Sequence, residues 1–297
     1  MKILITGANS FVAKNLILKL QKKNHKLFLT DKTKKYSKNK IIIKDLNQLN
    51  YKHIKSKNID KIIHLGAVST ANLFKMKPKD SFKTNVLSLV NLVDLAKKLK
   101  VKTIIFASSE WVYGQNKQKY QNEESHIIPE NLESDYALSK KIGEDFLRYF
   151  SKKNNFNLII LRFGIIYGEK ITNLCAIESI VKNLTSNKSI KEVVIGSKKT
   201  GRRFIHVNDI VSAIMKTVSL KIKKNIILNV AGSKMITMED IVKKSSLFLN
   251  RKIKMIEKNS SKFNIRNPIS TKLKKLTGWK DKVNVDEGIK SLIKYHQ

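Results

Sequence analysis

Short apolar runs alternate along the chain with stretches in which apolar residues recur at helical spacing. Residues 2–6, 26–30, 41–44, 61–65, 103–107 and 157–161 read as strands, and residues 11–21, 81–98 and 136–152 as helices. Strands such as IIIK, KIIHL and TIIFA are apolar throughout instead of alternating with polar positions. That composition suits a parallel sheet with helices packed on both faces. Right-handed crossovers then predict an α/β, doubly wound parallel sheet. After Gly168 the alternation loosens, with a helical run at 174–184, strand-like runs at 191–195 and 226–230, and short helical segments near the end. The expected division is a sheet domain over residues 1–168 and a smaller C-terminal lobe over 169–297, interleaved with the last elements of the sheet.

Composition narrows the setting. A chain of 297 residues buries enough apolar surface to need neither disulfide nor metal for stability. Its only cysteine, Cys175, excludes an intrachain disulfide and fits a reducing compartment, so a cytoplasmic location is expected. The N-terminal MKILITG runs directly into a strand pattern and reads as structure, not as a signal peptide. The most apolar stretch, 158–167, contains Arg162 and is about half the ~20 residues a membrane helix needs, so no membrane span is expected.

The formal charge of +37 invites a nucleic-acid reading. Nearly all of it is lysine, with six arginines, spread over every segment. Base readout favours arginine forks, and stacking sites need interleaved aromatic residues, so solvated lysine faces explain the charge better than specific nucleic-acid binding.

Ligands of open α/β sheets sit at the carboxyl ends of the strands. There the first strand ends in a turn, Gly7-Ala8-Asn9-Ser10-Phe11-Val12-Ala13, whose amides and helix dipole suit a pyrophosphate. By itself such a turn is equally an ordinary βα loop. Asp31, directly after the second strand, adds a carboxylate able to accept from adenosine ribose hydroxyls and to repel a 2′-phosphate, which favours NAD over NADP; Lys32, Lys34 and Lys35 offset that repulsion.

Hydride exchange with an alcohol needs a group for the hydroxyl proton, a charge to lower that group's pKa, and a donor that orients the oxygen. Tyr136 and Lys140 lie four apart in a helical run, on one face, where the ammonium favours tyrosinate and reaches the nicotinamide ribose. The same spacing also occurs at Tyr36/Lys40, Tyr51/Lys55, Tyr113/Lys117 and Tyr149/Lys153, so only context selects one pair.

That context is Ser108-Ser109-Glu110-Trp111-Val112-Tyr113-Gly114 followed by Tyr136-Ala137-Leu138-Ser139-Lys140, which resembles the Ser-Ser-x-x-Val-Tyr-Gly and Tyr-x-x-x-Lys segments of extended short-chain dehydrogenase/reductases, the NAD-dependent epimerase/dehydratase family. The turn at Gly7 resembles that family's G-x-x-G-x-x-G, with Ser10 and Ala13 replacing the last two glycines. Further matches in the same order are Thr84-Asn85-Val86, Leu161-Arg162 through Tyr167-Gly168, Arg202-Arg203-Phe204-Ile205-His206-Val207, and Asn229-Val230-Ala231-Gly232.

The resemblance implies an NAD-binding Rossmann domain with a substrate lobe, and cofactor contacts from Gly7, Asn9, Ser10, Phe11, Val12, Asp31, Asp45, Leu46, Leu65, Gly66, Ala67, Tyr136 and Lys140. It implies that Ser109, not Ser108, joins Tyr136 and Lys140 in catalysis, and that Ser109, Glu110 and Arg202 face a nucleotide-sugar substrate. His64 is expected to be a packed strand-end residue. The family implies a homodimer through the helices at 81–98 and 136–152. Dehydrating and decarboxylating relatives carry a second carboxylate after Glu110; Trp111 stands there, so epimerase or reductase chemistry is expected. A nucleotide-sugar dehydratase and a catalytically silent NAD-binding protein are the alternatives. The resemblance places Arg202 at the nucleotide diphosphate; against a nucleotide-sugar substrate, the asparagine expected there in the 162–167 turn is Ile165.

Overall fold

A computed structural model describes residues 1–33, 40–54, 56, 58–115 and 118–297. In chain order these form β1 (Lys2–Thr6), α1 (Phe11–Gln21), β2 (Lys26–Asp31), β3 (Ile42–Ile43), β4 (Lys61–His64), α2 (Ala71–Met76), α3 (Pro78–Phe82), α4 (Ser88–Lys98), β5 (Thr103–Ser109), α5 (Asp135–Asn154), β6 (Asn157–Phe163) and β7 (Ile165–Tyr167). There follow α6 (Ala176–Ser186), β8 (Glu192–Ile195), β9 (Gly201–Arg202), β10 (Phe204–His206), α7 (Val207–Val218), β11 (Ile226–Val230), β12 (Ile236–Thr237), α8 (Met238–Phe248), β13 (Lys254–Glu257), α9 (Thr271–Thr277) and α10 (Val285–His296).

Seven strands make one sheet in the order β3-β2-β1-β4-β5-β6-β11. The pairs β1–β2, β1–β4, β2–β3 and β4–β5 are parallel. The chain winds outward from β1 to β3 and returns to lay β4 against β1, so the order reverses between β1 and β4. That reversal leaves a crevice at the carboxyl ends of the two strands, where loops turn in opposite directions. The uniformly apolar strands have the environment they require: Leu4, Ile5, Ile62, Ile63, Ile104 and Ile105 are buried, and Leu89, Leu92, Leu147 and Phe156 belong to the core cluster on the helical side. Each such aliphatic side chain contributes about 1.5–3 kcal/mol relative to exposure.

The predicted helix at 81–98 departs from regularity. The helical path starts at Pro78 and passes through a π-helical turn, Lys83–Leu87, before α4. The cause is tertiary. Asn85 is buried within that turn, where it accepts from Val68 N at 2.8 Å and donates to Val68 O and to Ser139 Oγ. A π-turn re-aims one side chain at the cost of local helix regularity.

The described residues group into two compact units: 1–114, 126–162 and 211–228 in the first, and 115–125, 163–210 and 229–297 in the second. The second has its own core, in which Ile177, Val181 and Leu184 of α6 meet Ile241 of α8 and Ile289 and Leu292 of α10. Its strands pair in twos, β7 with β10, β9 with β12 and β8 with β13. Among the described residues no helix is long and apolar enough to cross a membrane.

Candidate active site

The crevice between β1 and β4 is a cavity of about 200 Å³ in the first unit, lined by Thr6, Gly7, Asn9, Ser10, Thr30, Asp31, Lys32, Thr33, Lys44, Asp45, Leu46, Leu65, Gly66, Ala67, Thr84 and Ser88. Gly7 has φ +70°, and a Cβ there would lie 2.5 Å from Gly66 Cα, so the turn closes on the β4 loop only with glycine. Ser10 caps α1, its hydroxyl oxygen accepting from Ala13 N at 3.3 Å. The serine that replaces a glycine thus starts the helix whose amino end faces the cavity, and that bond leaves its O–H proton unused. Phe11 and Val12, half-buried in the first turn of α1, stand outside this lining.

Asp31 is held from two directions. Its Oδ2 accepts from Asn9 N at 2.9 Å, and its Oδ1 accepts from Thr33 N and Thr33 Oγ1 at 3.0 Å each. A carboxylate has about four lone-pair sites, so acceptor capacity remains for a ligand. Asn9 donates its amide to Thr33 O, and its buried Oδ1 has no hydrogen-bond partner among the described residues. An adenosine ribose, which brings donors, fits this acceptor-rich corner, and a pyrophosphate fits the bare glycine turn. Lys32 and Lys44 line the same cavity; Lys34 and Lys35 lie outside the described residues. Asp45 Oδ1 accepts from Asn47 N and Nδ2, which fixes the loop that presents Asp45 and Leu46. His64 is buried, bonds Thr6 Oγ1 at 2.6 Å and stacks on Phe106. Burial pulls its pKa to about 3, with the nearby Lys140 charge acting the same way, so it is neutral.

Outside that lining, which includes neither Tyr136 nor Lys140, β5 ends in Ser109, and α5 begins with Ser134 as its cap, accepting from Ala137 N at 3.2 Å. The cap places Tyr136 in the first turn and Lys140 one turn later. The Tyr136 phenol lies next to the Ser109 side chain; burial pushes it up to about 12, and Ser109 opposes that rise. Lys140 is buried, donates to Ala107 O at 2.8 Å and lies 5.9 Å from the centre of the Tyr136 ring. Burial draws its ammonium down to about 8 against the pull of Glu144, so it titrates close to neutrality. Ser109, Tyr136 and Lys140 are therefore brought together. Ser108 points elsewhere, donating to Glu144 Oε1 at 2.5 Å. Glu110 follows Ser109 in a 3₁₀ turn and is fully buried, while Trp111 is half-buried.

Two groups of residues escaped the sequence reading. Thr84 and Ser88 reach the cavity from consecutive turns of one helical path, a spacing of four that marks a shared face. Glu144 continues the spacing set by Tyr136 and Lys140 by another four residues. It pairs with Arg162, Nη2 to Oε2 at 2.7 Å and Nε to Oε1 at 3.0 Å, with both side chains buried. Arg162 also donates to Tyr113 Oη at 3.2 Å.

In the second unit, Arg202 lies in β9 and donates through Nη1 to the carbonyls of Gly201 and Asn264. Ile165 pairs with Phe204 in the β7–β10 ladder.

A family model described as the NAD dependent epimerase/dehydratase family matches residues 3–231, more than half of the chain. The chain belongs to the NAD-dependent epimerase/dehydratase family. It is 25% identical to a putative UDP-glucose 4-epimerase of Methanocaldococcus jannaschii, over 99% of this chain and 97% of that protein. It is 28% identical to the dTDP-4-dehydro-6-deoxyglucose reductase of Escherichia coli, over 98% of this chain and 96% of that one. In fold it is similar to the UDP-glucuronic acid 4-epimerase of Bacillus cereus, solved with UDP-glucuronic acid and NAD, with a TM-score of 0.87, 19% identity and 100% and 99% of the two chains covered. As a family member the protein is an NAD-dependent enzyme of the extended short-chain dehydrogenase/reductase type. Membership gives the protein NAD as its cofactor.

Proposed function

We propose that the protein moves a hydride between NAD and C4 of a nucleotide-activated sugar, in the manner of a 4-epimerase; the same residues serve a 4-keto reductase. The observation that carries this reading is the Tyr136 phenol next to the Ser109 side chain, with Lys140 one turn away and donating to Ala107 O of β5. When bound, NAD supplies the hydride acceptor and donor. Tyr136, its tyrosinate favoured by the Lys140 ammonium against the rise that burial causes, takes the C4 hydroxyl proton while the C–H hydride leaves, and it returns a proton when the ketone is reduced. Lys140 stabilises the tyrosinate charge, and Ser109 donates to the C4 oxygen and orients it. Asp31 and Asn9 hold the adenosine ribose, the amides after Gly7 the pyrophosphate, and Asp45, Leu46, Leu65, Gly66 and Ala67 the wall behind them.

Elimination of water requires a further acid and base beyond hydride exchange. An indole at position 111 supplies neither, which supports epimerisation or ketone reduction over dehydration. We assign Arg202 to the nucleotide diphosphate, a ligand its planar guanidinium suits. A reducing, cytoplasmic setting suits the free thiol of Cys175. A homodimer through α4 and α5 would cover the exposed Val90 and Tyr149; a monomer by light scattering at micromolar concentration removes that assignment.

The test is turnover with UDP-, dTDP-, GDP- and CDP-sugars. An epimerase interconverts C4 epimers without net change in cofactor absorbance, and a reductase consumes reduced cofactor with a 4-keto sugar. Elimination products from a 4-hydroxy sugar, or neither C4 epimerisation nor 4-ketone reduction with any of the four, overturn the reading.

A further inference from the structure

Glu144 takes no part in the proton and hydride steps, yet its buried carboxylate accepts three hydrogen bonds, one from Ser108 and two from Arg162. A buried ion pair is a poor source of stability, because desolvating both charges offsets their attraction and apolar packing serves as well. Its value must lie in what it arranges. Ser108 precedes Ser109 on β5, Glu144 follows Lys140 by one turn of α5, and Arg162 lies on β6, so one carboxylate ties three elements beside the reacting groups.

We propose that Glu144 is the positioning residue of this site: bonded to Ser108 and Arg162, it holds α5 on β5 so that Tyr136 and Lys140 face Ser109, and it stands one turn from Lys140 as the carboxylate beside that ammonium. The inference rests on the assignment of Tyr136 and Lys140 made above. Among the described groups around Lys140, Glu144 is the opposite charge that favours the ammonium. From α5 come Tyr136 and Glu144; from β5, the Ala107 carbonyl and the Phe106 ring; from β4, the neutral His64. Arg162 of β6 is committed to Glu144.

The experiment follows Lys140 directly by NMR of the full-length protein carrying ¹³C at the lysine Cε, with its signal identified by its disappearance in Lys140→Met. The wild-type midpoint is expected near 8, and in Glu144→Gln it falls by about one unit or more, the effect of removing a neighbouring opposite charge. Turnover at pH 8 then drops about five-fold relative to turnover at pH 6, beyond any uniform loss. If Glu144→Gln does not fold because Arg162 is left unpaired, Glu144→Gln with Arg162→Met removes both charges and carries the same measurement. An unchanged Lys140 midpoint in either folded variant overturns the proposal. Tyr136→Phe separates the two assignments: if it retains turnover the catalytic reading fails, while the Lys140 titration still reports on Glu144.

Discussion

The backbone N–H of Asn9 donates to Asp31 Oδ2 at 2.9 Å, tying the glycine turn after β1 to the end of β2. The carboxylate that faces the cavity is thereby fixed by the same turn that would hold the pyrophosphate. Asp31→Asn keeps the shape and removes the charge, so NAD binding weakens about ten-fold, the loss of one charge-assisted hydrogen bond. NADP binding strengthens in the same variant, since Lys32 and Lys44 then face a 2′-phosphate without an opposing carboxylate. Calorimetric titration with both cofactors checks this; a variant that keeps the wild-type preference shows that Asp31 does not select the ribose.

Gly7→Ala meets two obstacles, a positive φ and a Cβ 2.5 Å from the Gly66 backbone. The turn must open, with a cost of about 1–3 kcal/mol for the conformation alone. Thermal unfolding and cofactor titration should show lower stability together with lost NAD affinity. Wild-type affinity in the variant would mean that the turn does not carry the cofactor.

Lys140 shows what the site costs in stability. Its folded value of about 8 lies below its ordinary 10.5, so the folded protein holds this proton less well than the unfolded chain does. The penalty is fully present below pH 8 and fades between pH 8 and 10.5. Lys140→Met is therefore expected to stabilise the fold by roughly 1–3 kcal/mol at pH 7 while abolishing turnover, with the gain vanishing above pH 10.5. Denaturant unfolding across that range measures it. Destabilisation at pH 7 contradicts the burial cost assigned here.

The sheet was legible because burial on both faces leaves a mark on every residue of a strand, as at Ile62, Ile63, Ile104 and Ile105. The π-turn at Lys83–Leu87 was not, because the bonds of Asn85 to Val68 and Ser139 are tertiary. The glycine turn and Asp31 were visible because they sit where a strand ends. Glu144 was missed although its spacing from Lys140 was available, since its partner Arg162 is 18 positions further on and nothing local marks the pair. The two-residue β9 is too short for any periodicity to show, and the partner of Arg202 across the second unit, Asn264, is 62 positions away.

Tyr136 carries the central claim. Tyr136→Phe removes one oxygen next to Ser109 and leaves the ring among its neighbours. The measurement is turnover of the preferred sugar nucleotide alongside NAD affinity in the same preparation. Turnover is expected to fall at least about 100-fold, the usual contribution of a general acid–base group, with NAD affinity within about three-fold of wild type. Turnover near the wild-type rate would contradict hydride exchange through Tyr136.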